Sequence, residues 1–186
     1  MKTFERSENR IQFDNVSLMN CVLKDEFGAY VRVSKLWRKQ TAILIFVRHF
    51  ACTACRAHVM QVWSRRKELQ AGGAEIFFIG NGSPSAIVKF KAEMKIADAK
   101  FLTDEDLLCF QAAGFKRGFL STLGPTSLKN GIRLIRRGFK QNRPTPEDGD
   151  VWQLGGVMVV QQNGNVIYHY ISTALGDFPP ESDILV

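Results

Sequence analysis

With 186 residues, 45% of them hydrophobic, the chain carries enough apolar material for one substantial core, and a single domain over 16–186 is expected after a polar segment at 1–15. Lys2, Glu5, Arg6, Glu8 and Arg10 leave no apolar stretch near the start, and no later run approaches a bilayer's width. These features exclude a secretory signal and a transmembrane segment, so the expected compartment is cytoplasmic, with the nucleus also open.

In chain order, 22–33 reads as strand, turn, strand around Asp25-Glu26-Phe27-Gly28, and Ser34 is placed to cap a helical turn through Leu36 and Trp37. Residues 41–50 are β-branched and aromatic and predict a central strand buried on both faces. This strand delivers Cys52-Thr53-Ala54-Cys55, and a helical pattern begins near Arg56, with Val59, Val62, Trp63 and Leu69 apolar and a stop at Gly72-Gly73. A second buried strand follows at 74–79. Ser83-Pro84 supplies an N-cap and a first-turn proline for a helix striped by Ile87, Val88, Phe90 and Met94. A short strand at 100–102 leads to Thr103-Asp104-Glu105-Asp106, which predicts a capping-box start for a helix through Ala113, closed by Gly114. Strands at 156–161 and 165–170, joined by Gln162-Asn163-Gly164, predict a closing hairpin.

A Cys-x-x-Cys pair where a strand hands over to a helix puts two sulfurs at a helix N-terminus, where free N–H groups and the helix dipole favour thiolate. In a reducing compartment a structural disulfide is not expected, which leaves catalysis, redox sensing or metal binding. His49, Cys52, Cys55 and His58 are spaced by threes like a ligand set. A helix from Cys52 onward, however, spreads Cys52 and His58 by roughly 9 Å along its axis and leaves His49 on the strand, so the four cannot converge on one tetrahedral ion. The pattern therefore reads as a redox pair near a βαβ unit, the thioredoxin plan. An added N-terminal hairpin, and a strand and helix inserted after the first βαβ unit, make it the peroxiredoxin variety. The fold class is accordingly α/β, a central mixed sheet flanked by helices, with a basic insertion at 115–150 before the C-terminal hairpin.

Phe46-Val47-Arg48-His49-Phe50, Cys52-x-x-Cys55, Gly114-Phe115-Lys116-Arg117-Gly118 and Leu154-Gly155-Gly156, in that order, resemble the peroxiredoxin-like proteins of the AhpC/TSA antioxidant enzyme family from about Leu23 to the C-terminus. The resemblance implies a thioredoxin-like fold and a thiol-based antioxidant or reductase activity, with relatives linked to reduction of prostaglandin-type endoperoxides and to signalling. Peroxiredoxins carry Pro-x-x-x-Thr-x-x-Cys. Matching Cys55 to their reactive cysteine puts Arg48 in place of the proline and Cys52 in place of the threonine, whereas matching Cys52 puts His49 in place of the threonine. Either way the peroxide-polarising hydroxyl is missing, and Arg48 is the cation placed to compensate. Where thioredoxins carry a cis-proline this chain has Leu154-Gly155-Gly156, glycines that would admit a substrate or partner backbone.

The expected mechanism gives Cys52, at an exposed helix tip, the nucleophile's role, and Cys55, one turn down, the resolving role. The peroxiredoxin match argues for the reverse, so the order stays open. Arg48 and His49 are the candidate thiolate stabilisers, only one of which an alternating strand would turn toward the sulfur. The substrate is a peroxide, an endoperoxide or a disulfide. No bound cofactor is implied, and an external thiol reductant such as thioredoxin or glutathione restores the pair. Cys21 and Cys109 read as small hydrophobes, with a distant resolving role as the alternative.

From 115 to 143 there are eight cations and no acidic residue, more than the whole net charge of +7. Leu128, Ile132, Ile135 and Phe139 fall at helical spacing opposite much of this set. The element reads first as a cover over the core. Lys129, Arg133, Arg136, Arg137 and Lys140 also suit an anionic membrane surface or an acidic protein, while no aromatic-rich basic face argues for nucleic acid. Gly80-Asn81-Gly82 lacks the following Lys-Ser or Lys-Thr of a phosphate cradle. The second functional reading is thus a redox-sensing or non-catalytic thioredoxin-fold scaffold that uses the basic insertion for contacts.

Overall fold

The computed structural model describes residues 13–118 and 143–184. A short helix, α1 (Asn15–Asn20), precedes the hairpin β1 (Val22–Lys24) and β2 (Tyr30–Arg32), and the long apolar run becomes β3 (Ala42–Phe46). Then come α2 (Thr53–Ser64), α3 (Arg66–Gln70), β4 (Glu75–Gly80), α4 (Pro84–Met94), β5 (Lys100–Thr103) and α5 (Leu108–Ala112), and the hairpin β6 (Gly156–Val160) and β7 (Val166–Ile171) closes the order. The strands form one mixed sheet ordered β2-β1-β5-β4-β3-β6-β7, the peroxiredoxin-like arrangement of the thioredoxin plan. β3, β4 and β5 run parallel, and β6 lies antiparallel to β3 with Gly156 opposite Phe46.

All five side chains of β3 are buried, because alternate residues enter two cores on opposite faces of the sheet. Ile43, Ile45 and Val47 pack with Val59 and Val62 of α2, Ile87 and Phe90 of α4, and both cysteines of the pair. Ala42, Leu44 and Phe46 pack with Leu18 of α1 and with Cys109 and Phe110 of α5. Period-two alternation with cover on both faces is what a run such as Ala-Ile-Leu-Ile-Phe requires.

Several boundaries differ from those the sequence predicts, each for a local reason. The central strand stops at Phe46, and after Val47 N–H bonds Ile79 O at 2.8 Å the chain leaves the sheet. The helix begins at Thr53 rather than Arg56, with Cys52 as its cap, and breaks at Arg65 before α3. Ser34 lies inside a 3₁₀ turn, Val33–Lys35, and caps nothing. Ser83 does cap α4 through Ala86 N, but Val88 is 52% exposed and does not belong to the buried stripe. Thr103 ends β5 instead of opening a helix, and α5 is capped from further back by Asp104, whose Oδ2 accepts from Cys109 N at 2.8 Å and Phe110 N at 2.9 Å. The unpredicted α1 is held by Asp14, whose side chain accepts from Ser17 N at 3.0 Å. Among the described residues no helix is long and apolar enough to cross a membrane. Lys129, Arg133, Arg136, Arg137 and Lys140, with the apolar stripe opposite them, lie outside the described residues, as does the polar segment up to residue 12.

A Cβ on Gly155 would occupy the position of the Phe46 carbonyl oxygen, so Gly155→Ala should lower the unfolding free energy by at least about 2 kcal/mol in urea titrations. His58, on the buried face of α2, stacks on Phe178 with ring centroids 3.9 Å apart, and burial pushes its imidazole down to about 3. Its folded value lies below its unfolded one, so between roughly pH 6.5 and 3 the unfolded chain binds the extra proton and stability falls as pH falls. Relative to His58→Phe, which keeps the stack, the wild-type chain should lose about 1.4 kcal/mol per pH unit across that window. Parallel pH curves for the two proteins would contradict this.

Candidate active site

The loop leaving β3 turns back at residues 49–52, with Cys52 N–H bonded to His49 O at 3.1 Å, and sets Cys52 in extended geometry at the N-cap of α2. A cap residue needs a side-chain acceptor for the first free N–H groups, and here the acceptor is a sulfur: Cys55 N–H reaches Cys52 Sγ at 3.4 Å. Arg48 Nη1 lies 3.8 Å from the same sulfur. The Cys55 thiol, hydrogen-bonded to Cys52, holds Cys52 well below the usual thiol range against the opposing effect of burial, and Arg48 and His49 act in the same direction. Burial, reinforced by the neighbouring Cys52, pushes Cys55 well above that range. The two sulfurs are unbonded, and their surroundings push them in opposite directions, Cys52 down and Cys55 up.

Arg48 is fixed from the far side of the site. Its Nε donates to Gln153 O at 3.2 Å and its Nη2 to Val151 O, which leaves Nη1 for the sulfur. Gln153 is itself buried, with Nε2 donating to Lys116 O at 3.2 Å and Leu154 O at 2.8 Å. The preceding segment is shaped by a capping box in which Asp148 Oδ2 accepts from Thr145 N and Oγ1, both at 2.8 Å, and Asp148 O accepts Phe50 N at 3.0 Å. Residues 145–154 thus clasp the cysteine loop. Sequence reading placed much of this segment in the basic insertion and missed its role, although Thr145-Pro146-Glu147-Asp148 carries the capping-box spacing.

The structure gathers all four expected site residues, Arg48, His49, Cys52 and Cys55, in one place. It corrects their setting. Cys52 is 2% exposed rather than at an open helix tip, and Cys55 is fully buried, because the clasp and the sheet face enclose both. Arg48 and His49 lie beyond the end of the strand, so strand alternation does not choose between them. His49 is buried, its Nδ1 has no hydrogen-bond partner among the described residues, and burial, with Arg48 adding to it, pushes its imidazole below the usual range. Arg48 brings its guanidinium to the sulfur from the other side. The space above Gly155 and Gly156 is taken by Phe46 O, Tyr170 O and the Phe115 ring, so these glycines serve the chain's own packing and not a visiting backbone. Among the described residues no three His, Cys, Asp or Glu side chains gather as metal ligands. Cys21 and Cys109 lie against the core on the opposite face of the sheet, away from Cys52.

The profile of the AhpC/TSA antioxidant enzyme family matches residues 61–174, beginning just past the cysteine pair. The prostamide/prostaglandin F synthase of Salmo salar is 30% identical over 165 residues, 88% of this chain and 82% of that protein. The chloroplastic thioredoxin-like protein AAED1 of Arabidopsis thaliana is 27% identical over 176 residues, 91% of this chain and 70% of that protein. Among solved structures, peroxiredoxin Q of Xanthomonas campestris superposes with a TM-score of 0.61 at 12% identity, covering 86% of this chain and 85% of that one. On sequence and fold together, the chain belongs to the AhpC/TSA antioxidant enzyme family, the peroxiredoxin-like oxidoreductases of the thioredoxin fold.

Proposed function

We propose that the chain reduces an O–O bond through Cys52, with Cys55 as the resolving thiol. The observation that carries this reading is the environment of Cys52 Sγ, a helix N-cap sulfur that receives Cys55 N–H at 3.4 Å and faces Arg48 Nη1 at 3.8 Å. The Cys52 thiolate attacks one peroxide oxygen, the O–O bond breaks, and the departing oxygen leaves as an alcohol or water after taking a proton. Cys55 then attacks the oxidised sulfur, forming the Cys52–Cys55 disulfide and expelling the retained oxygen as water, or as the second alcohol when the substrate is an endoperoxide. Arg48 supplies the positive charge beside the reacting atoms in place of the missing threonine hydroxyl. Relatives named prostamide/prostaglandin F synthases favour an organic substrate of the endoperoxide kind that the sequence resemblance implies.

Two electrons from an external dithiol or glutathione return the pair to its starting state, and a cytosolic setting, with the nucleus also open, suits that requirement. Since Cys52 is only 2% exposed, turnover requires the loop at 47–52 to open. The same burial favours a second reading, a redox sensor whose pair is oxidised rarely. The basic set Lys129, Arg133, Arg136, Arg137 and Lys140 is offered as a contact for an anionic membrane surface or an acidic protein on its sequence pattern alone.

Because the folded environment lowers Cys52, its thiolate persists to lower pH than that of an ordinary thiol and is lost as pH falls through the lowered value. Alkylation by iodoacetamide should therefore label Cys52 ahead of Cys55 at pH 7. Arg48→Met should slow that labelling by about 10-fold or more at the same pH. Equal, slow labelling of both cysteines would favour the sensor. Cys52→Ser should abolish peroxide consumption, whereas Cys55→Ser should allow one attack and then accumulate a mixed disulfide between Cys52 and the reductant. The opposite assignment of the dead and the trapped variant would reverse the roles.

A further inference from the structure

Across the sheet from the Cys52–Cys55 pair, two further cysteines meet. Cys21 caps the C-terminus of α1, its N–H bonding Ser17 O and Leu18 O and its own carbonyl accepting Val33 N at 2.9 Å. Cys109 opens α5, its N–H held by Asp104 Oδ2 at 2.8 Å. The two helices are tied to each other, since Asp14 N, preceding α1, bonds Ala112 O, at the end of α5, at 2.8 Å. β1 also pairs antiparallel with β5 through Lys24 and Thr103, so the chain before β1 and the chain after β5 share one end of the sheet, where Cys21 packs against the core cluster that holds Cys109 and each thiol is the leading influence on the other's acidity. Both backbones are anchored independently, Cys21 by Ser17, Leu18 and Val33 and Cys109 by Asp104, which leaves the two side chains as the groups that must move to form an S–S bond. The pair is asymmetric: Cys109 is fully buried in the core beneath α1 and α5, whereas Cys21 is half-buried and reachable from solvent.

We propose that Cys21 and Cys109 form a second redox site, a disulfide that closes under peroxide and ties α1 to α5 on the face of the sheet opposite the Cys52–Cys55 pair. Cys21, the accessible sulfur, attacks a hydroperoxide; the O–O bond breaks, Cys21 becomes a sulfenic acid and the departing oxygen leaves as water or alcohol. Cys109 then attacks the Cys21 sulfur, the S–S bond forms, and the sulfenic oxygen leaves as water with the Cys109 proton. Two thiols and one hydroperoxide thus yield one disulfide, one alcohol or water, and one further water. Hydrogen bonding from Cys109 holds Cys21 below the usual thiol range, against burial and the carboxylates of Asp104 and Asp14, while Cys109, donating that bond and buried, is pushed well above it. The attacking and resolving roles follow the same division as in the first pair.

The closed bond would span the chain from β1 through β5, a long loop of the kind whose cross-linking restrains the unfolded state most. The test uses the full chain carrying Cys52→Ser and Cys55→Ser, treated with excess hydrogen peroxide, blocked with N-ethylmaleimide and mapped by mass spectrometry. The expected result is a peptide linking Cys21 to Cys109, loss of two hydrogens from the intact mass, reversal by dithiothreitol, and a melting temperature higher by about 5 °C or more than that of the reduced protein. In the wild-type chain the same treatment should yield both disulfides, which keeps the test open if the double variant folds poorly. Adding Cys109→Ala to the double variant should leave Cys21 as a sulfenic acid that dimedone captures. Two free thiols after peroxide, Cys21 oxidised while Cys109 still takes maleimide on unfolding, or Cys21 bonded to another chain would overturn the proposal.

Discussion

A thiolate taken out of water at the N-cap of α2 has to be compensated where it sits. Leaving a buried charge unpaired costs several kcal/mol, and hydrogen bonds to a charged acceptor return about 1.5–3 kcal/mol each, so two or more donors must converge on the sulfur before the thiolate is favoured. Cys52 has the Cys55 amide, the Cys55 thiol and the Arg48 guanidinium. None of the three arrives by chance. The amide belongs to the first turn of a helix whose start is fixed by the end of β3, and the guanidinium is aimed by two carbonyls of the 151–153 segment. The acidity of Cys52 is therefore a property of the end of a central strand and of the clasp as much as of the motif.

The surroundings that lower Cys52 raise Cys55. Burial on the α2 side of the sheet makes Cys55 a poor thiolate, so the pair is polarised before any oxidant arrives. That division is the reason the proposal takes Cys52 as the attacking sulfur where the peroxiredoxin motif allows either cysteine to be matched to the reactive position. In that proposal Arg48, a cation held by main-chain carbonyls next to the sulfur, stands in for the threonine hydroxyl this chain lacks.

Much of the fold was legible because its signals are local. The run at 42–46 alternates between two cores, Ser83-Pro84 opens α4, and Gln162-Asn163-Gly164 turns the last hairpin, with Gly164 at φ +82° and Asn163 Oδ1 accepting Asn165 N at 2.9 Å. What sequence missed depends on residues far apart in the chain. The enclosure of Cys52 comes from the clasp at 145–154, nearly a hundred positions away. Gly155 looked like room for a substrate and is filled by Phe46 O of the adjacent strand. The cap of α5 comes from Asp104, set back by a left-handed Leu107 at φ +59° that no propensity favours. Cys21 and Cys109, read one at a time as small hydrophobes, come to one end of the sheet only once β1 pairs antiparallel with β5.

The central claim is that Cys52 is struck first and Cys55 resolves it. The direct measurement is time-resolved mass mapping of the wild-type protein after less than one equivalent of peroxide, quenched at successive intervals. The account predicts one oxygen on Cys52 at the earliest time, giving way to a Cys52–Cys55 bond with loss of water. Oxygen appearing first on Cys55, or a bond that bypasses Cys52, would contradict it.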